Sequence, residues 1–138
     1  MTGHRERQIV VGQAVLPVEL TPEAISLLWF GAVTRNAHLI HYDTEFARSE
    51  GLAGPVVMAQ LHGCLFHRAA AEFAGAGGRV REVGWRNRAP AHVGDRLVVT
   101  GTVQSVDASS GAVTLDLVER CGADGVVCCR GRAVVIPG

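Results

Sequence analysis

Two stretches of this chain repeat apolar residues at helical spacing, and its second half alternates them. Residues 24–31, AISLLWFG, put Ile25, Leu28 and Trp29 on one face, which predicts an amphipathic helix. Thr21-Pro22-Glu23 marks its start, with Thr21 as N-cap, Pro22 at the first helical position and an acid in the first turn. Gly31 predicts its end. Residues 58–73, MAQLHGCLFHRAAAEF, form a second, longer helix. Leu61, Leu65 and Ala69 share a stripe, with Phe66 and Phe73 near it. Apolar side chains run almost all the way round, as on a helix wrapped by something larger. The glycines of residues 75–78 end it. Between the two helices, residues 34–42 read as loop. Asp43 reads as the N-cap of a short helix through Arg48 that stops at Gly51.

From residue 79 onward the pattern is that of strands. Val80, Val83 and Trp85 mark residues 79–89 as the first. Pro90 and the Val93-Gly94-Asp95 turn lead into residues 96–106. Turns at 109–111 and 122–125 separate two more strands, 112–120 and 126–136. Residues 7–20 read as an extended lead-in. One long helix followed by an antiparallel meander predicts an α+β fold, with a curved sheet of five to six strands around a central helix. The whole of 1–138 reads as a single domain. Trp29, Phe30 and Trp85 are expected to pack in its core, with lining of a ligand tunnel as the alternative.

Composition narrows the function. The chain has 13 basic and 13 acidic residues, and every basic one is arginine. Such a balance argues against a nucleic-acid binder, which would be clearly basic. Without lysine there is no Schiff-base chemistry. Hydrophobic residues make up 48% and charged residues 19%, a surplus of apolar surface that a partner chain would cover. No apolar run reaches the roughly 20 residues of a membrane span, and the N-terminus lacks the apolar core of a signal peptide. A cytoplasmic protein is expected. Cys64, Cys121, Cys128 and Cys129 match no zinc or redox spacing, and are expected to be small buried thiols. Alternation along a strand predicts that Cys128 and Cys129 point to opposite faces.

The candidate chemistry lies in residues 34–65. Asn36, His38, His41, Tyr42 and Asp43 fall within eight positions between helices. A metal reading of His38, His41 and Asp43 lacks a fourth ligand. An acid–base reading fits better. An imidazole gives or takes a proton near neutral pH, Asn36 orients a water or a carbonyl, and the helix start at Met58-Ala59 offers free backbone N–H groups to an oxyanion. Asp43 reads as a cap and nothing more. His62 and His67 read as packing or rim residues. His92 is expected to be exposed in its turn, and His4 to lie in a loose N-terminus.

This segment resembles the hydratase motif of MaoC-like enzymes, the (R)-specific enoyl-thioester hydratases and dehydratases of the hot-dog superfamily. Their pattern runs Asp-x-Asn-Pro-x-His-x-Asp, then a variable helix, then Pro, two hydrophobic residues and His-Gly. This chain has Asn36-Ala37-His38-Leu39-Ile40-His41-Tyr42-Asp43, then Pro55-Val56-Val57-Met58-Ala59. The Asn-x-His-x-x-His-Tyr-Asp form is similar to a mesaconyl- and itaconyl-CoA hydratase-like subgroup. Element order agrees over about residues 7–136, while the motif itself is confined to 34–65. The resemblance implies a hot-dog fold and a lyase that hydrates 2-enoyl thioesters or dehydrates 3-hydroxyacyl thioesters. It implies His41 as the catalytic histidine and Asn36 in the place of the usual aspartate. Ala59 stands at the glycine whose N–H binds the thioester carbonyl, with Met58 beside it.

Asn36 does not ionise, and His38 is the expected substitute as a second titratable group. Arg86 and Arg88 share a strand face, and with Arg79 and Arg81 form an expected basic patch for the phosphates of CoA or a carrier protein. No metal and no cofactor is implied. The expected partners are an acyl-CoA or acyl-carrier-protein thioester and a second hot-dog chain, in a homodimer or a hetero-oligomer. Two alternatives stay open: a subunit inactive without its partner, and a hot-dog cyclase or thioesterase.

Overall fold

A computed structural model describes residues 8–138. His4 and the start of the N-terminal segment lie outside the described residues. Five strands form one antiparallel sheet: β1 (Ala14–Leu20), β2 (Arg79–Asn87), β3 (Leu97–Val106), β4 (Val113–Cys121) and β5 (Val126–Ile136). Their order is β1-β3-β4-β5-β2. The curved sheet closes over one helix, α3 (Ala59–Ala74), the hot-dog arrangement. Two further helices, α1 (Ala24–Thr34) and α2 (Thr44–Ser49), precede it, with a 3-10 turn at Leu39–His41 between them.

The alternation read from the sequence becomes burial directly. In β4, Val113, Leu115, Leu117, Glu119 and Cys121 all face inward and are buried. Leu65, Phe66, Ala69 and Phe73 of α3 pack against them, and Phe66 is fully enclosed. Removing the surface of one such side chain from water is worth about 1.5–3 kcal/mol. The α3–sheet contact therefore contributes several such terms to stability.

The first helix departs from the sequence reading. It begins at Ala24 with Glu23 as N-cap, and neither Thr21 nor any other side chain caps it. The Pro22 carbonyl instead accepts the Gly94 N–H at 2.9 Å, holding the chain extended there. Nor does α1 end at Gly31. It runs to Thr34, and Arg35 closes it in the left-handed region at φ 55°. Gly31 has another purpose: a Cβ there would sit 2.8 Å from the Asn36 carbonyl oxygen, which folds back onto the helix. The face carrying Ile25, Leu28 and Trp29 points outward, while Leu27 and Gly31 are buried. Trp29 is thus 66% exposed and Phe30 only half-buried. Trp85 is 38% exposed, its ring lying over Gly63 of α3. The placement of all three aromatics in the core is corrected. On a helix apolar on most sides, periodicity does not distinguish the inward face from the outward one.

Two smaller expectations also change. Cys64 is exposed, whereas Cys121, Cys128 and Cys129 are buried. His92 is half-buried, tied to Val56 by an isolated antiparallel bridge. Among the described residues no helix is long and apolar enough to cross a membrane.

Candidate active site

The segment from Asn36 to Asp43 is held by its own hydrogen bonds. The Asn36 N–H donates to the Gly31 carbonyl at 2.9 Å, which anchors the start of the loop on α1. His38 caps the 3-10 turn, its Nδ1 accepting the Ile40 N–H at 3.3 Å. The Tyr42 hydroxyl donates to the Ala37 carbonyl at 3.0 Å. Asp43 accepts the Phe46 N–H at 2.9 Å and opens α2, the cap role read from the sequence. His38, His41 and Asp43 thereby have separate tasks, and they do not converge as metal ligands.

This scaffold fixes His41. The ring is buried, and its Nδ1 lies 2.7 Å from the Val56 carbonyl oxygen. A carbonyl only accepts, so Nδ1 carries the proton of this bond. In the neutral ring Nε2 then holds the lone pair. Asn36 Nδ2 points at that nitrogen from 3.4 Å, a long contact, while Asn36 Oδ1 accepts the His38 N–H. The two bonds agree on which way the Asn36 amide is turned. His41 is therefore set up as a proton acceptor at Nε2, with an amide beside it that orients and does not titrate.

A cleft of about 550 Å³ opens over this pair, a volume that suits a small-molecule ligand. Asn36, His38 and His41 form one wall, and Ala59, Gln60 and His62 of α3 another. No side chain caps α3 at Met58, and the Ala59 and Gln60 amides have no hydrogen-bond partner among the described residues. Free amides at a helix start stabilise negative charge. Met58 itself is buried and is not among the residues that line the cleft. A second cleft of about 530 Å³, more apolar, lies behind His41 against Ile25, Leu28 and Pro55.

Arg88 belongs to the rim of the main cleft and also to a shallow depression shared with Arg86, Arg130 and Arg132. Arg86 faces Arg130 across the β2–β5 ladder. The sequence reading missed Arg130 and Arg132, whose position depends on strand register. Arg79 and Arg81 do not line this depression. Arg132 is partly neutralised by Glu82 at 3.2 Å.

His62 is more than packing. It is buried, lines the cleft, and its Nδ1 makes a short contact with Glu119 Oε1. Sequence reasoning did not find Glu119, because a carboxylate on an inward strand position is visible only once the faces of β4 are assigned. Cys128 and Cys129 converge on the same point, against the expectation of opposite faces. The reason is a β-bulge: Glu119 pairs with Cys129 and Arg120 with Val127, leaving Cys128 as the extra residue. Hydrogen bonding with Cys129 and burial hold the Cys128 thiol above its ordinary range, and burial pushes Cys121 up to about 12.

Residues 4–112 match the family model described as hydroxyacyl-thioester dehydratase type 2. The chain belongs to that family. Its members are lyases acting on hydroxyacyl thioesters. A search of curated proteins finds no match to this sequence. Solved structures agree on the fold. The (R)-hydratase from A. caviae involved in PHA biosynthesis superposes with a TM-score of 0.87 at 22% identity, covering 96% of this chain and 99% of that one. The ChsH1-ChsH2 complex from Mycobacterium tuberculosis gives 0.85 at 21%, over 95% and 100%. The HadBC (3R-hydroxyacyl-ACP dehydratase) complex from the same organism gives 0.73 at 16%, over 91% and 96%. At these identities the likeness is one of fold.

Proposed function

We propose that this dehydratase-family protein interconverts a trans-2-enoyl thioester and its 3-hydroxyacyl thioester, with His41 as the acid–base residue. The observation behind this reading is the polarity of the His41 ring, its proton donated to the Val56 carbonyl and its Nε2 turned to the cleft beside Asn36. In the hydration direction, the Ala59 and Gln60 amides hold the thioester oxygen as charge develops on it. Asn36 holds the water. His41 Nε2 takes a proton from that water as its oxygen bonds to C3, and returns the proton to C2. Dehydration is the reverse. One titratable residue thus makes both proton transfers, since Asn36 does not ionise. His38, with Nδ1 engaged by the Ile40 N–H, lines the entrance and stacks edge-on against His41.

The arginine depression gives the same reading its second half. Arg88 lines both the cleft and that depression, which supports Arg86 and Arg88 as the residues that bind the phosphates of a CoA or carrier-protein arm whose thioester reaches Asn36 and His41. Leu28, Trp29 and Val33 leave an apolar stripe on α1, which supports pairing with a second hot-dog chain. Purified protein assayed with crotonyl-CoA tests the reading. Loss of enoyl absorbance that disappears in His41→Ala is expected. No turnover of any enoyl-CoA, with or without a co-purified partner, would overturn it, and free acid as product would point to a thioesterase.

A further inference from the structure

Beneath the cleft, four side chains from three elements meet: His62 of α3, Glu119 of β4, and Cys128 and Cys129 of β5. All four are buried, and one ligand atom from each lies within 4.8 Å of the others. Among the described residues no other group of His, Cys, Asp or Glu converges in this way. We propose that this cluster is a structural site for a zinc-class transition-metal ion, separate from the acid–base chemistry of His41.

Three observations carry the proposal. The first is the donor set. One imidazole nitrogen, one carboxylate oxygen and two thiols are zinc ligands, and with bonds of about 2.0–2.3 Å a tetrahedral ion needs its donors roughly 3.3–3.8 Å apart. The four donors lie within 4.8 Å of one another, so small side-chain adjustments would bring them to that spacing. With both thiols and the carboxylate ionised, its net charge equals that of a Cys3His site. The second is the buried carboxylate. Glu119 is fully enclosed; Oε1 contacts His62 Nδ1 and lies 3.0 Å from Cys128 Sγ, yet Oε2 has no hydrogen-bond partner among the described residues. A buried carboxylate with half its acceptors unmet is costly unless a cation offsets it. The third is the bulge. A regular strand would turn Cys128 and Cys129 apart, and the extra residue in β5 brings both sulfurs to one point.

Four protein ligands leave no open position, so the ion would cross-link α3 to β4 and β5 and take no part in the reaction. Cys129 Sγ is 3.1 Å from Asn87 Oδ1, and both Asn87 and His62 line the cleft. The site would therefore stiffen the cleft floor.

The test is elemental analysis of protein produced with zinc and purified without chelator. About one zinc per chain is expected. It should be lost in Cys128→Ser and Glu119→Gln and kept in Cys64→Ser, whose thiol is exposed. Cobalt substitution should give tetrahedral visible bands and thiolate charge-transfer absorption. That spectrum decides the question in wild-type protein even if a variant fails to fold. Folded protein that takes up neither zinc nor cobalt would overturn the proposal and leave a hydrogen-bonded polar network. Retention of the metal in both ligand variants would overturn it too, by placing the ion elsewhere. Neither outcome depends on turnover, so failure here is distinguishable from failure of the proposed reaction.

Discussion

His41 and His62 line the same cleft from different elements, and both rings are buried. Each commits Nδ1 to one oxygen, but the oxygens differ in kind. His41 donates its Nδ1–H to the Val56 carbonyl, a neutral acceptor that fixes a tautomer and asks for nothing more. His62 meets Glu119, a buried carboxylate that itself needs partners. The first arrangement leaves Nε2 available to a substrate. The second makes the histidine serve the carboxylate and, through it, the packing of α3 on the sheet. Two residues of one type in one cleft are thus separated by what stands behind them.

Removing His62 tests that separation most heavily. His62→Ala leaves Glu119 enclosed without its main partner and is expected to cost about 3–5 kcal/mol of stability. The folded fraction should keep most of its turnover. A denaturant melt reads the first effect and steady-state kinetics the second; a loss below about 1 kcal/mol would erase the distinction. Asn36→Ala removes one polar contact at His41 Nε2 and should lower kcat about tenfold, the size of one hydrogen bond, with stability nearly unchanged. Asn36→Asp sharpens the comparison by placing a titratable group beside Nε2: the pH–rate profile should gain a limb that the natural protein lacks. Smaller again is the effect of the Arg86→Ala, Arg88→Ala double variant. KM for a CoA thioester should rise several-fold, less so at high salt, where exposed charges are screened. The N-acetylcysteamine thioester, which has no phosphates, should be unaffected.

The contrast also explains which parts of the molecule were legible in the sequence. Asn36, His38, His41 and Asp43 belong to one short segment, and turn and cap chemistry places them without reference to distant strands. The Asp43 cap, the long enclosed helix and all four strands after residue 78 follow from local pattern. The His62–Glu119–Cys128–Cys129 cluster does not, because it depends on register between β4 and β5 and on a bulge that reverses the expected direction of one cysteine. Arg130 opposite Arg86 is hidden for the same reason. Trp29 fails differently: α1 is apolar on so many sides that composition alone does not choose its buried face.

The central claim is that His41 carries the proton. It is tested most directly by measuring kcat for crotonyl-CoA hydration in His41→Gln and His62→Gln side by side, each corrected for its folded fraction. The account predicts a fall of about 10²–10⁴-fold for His41→Gln, the range of a lost acid–base residue, and little change for His62→Gln. Full activity in His41→Gln, or the large loss in His62→Gln instead, would contradict it.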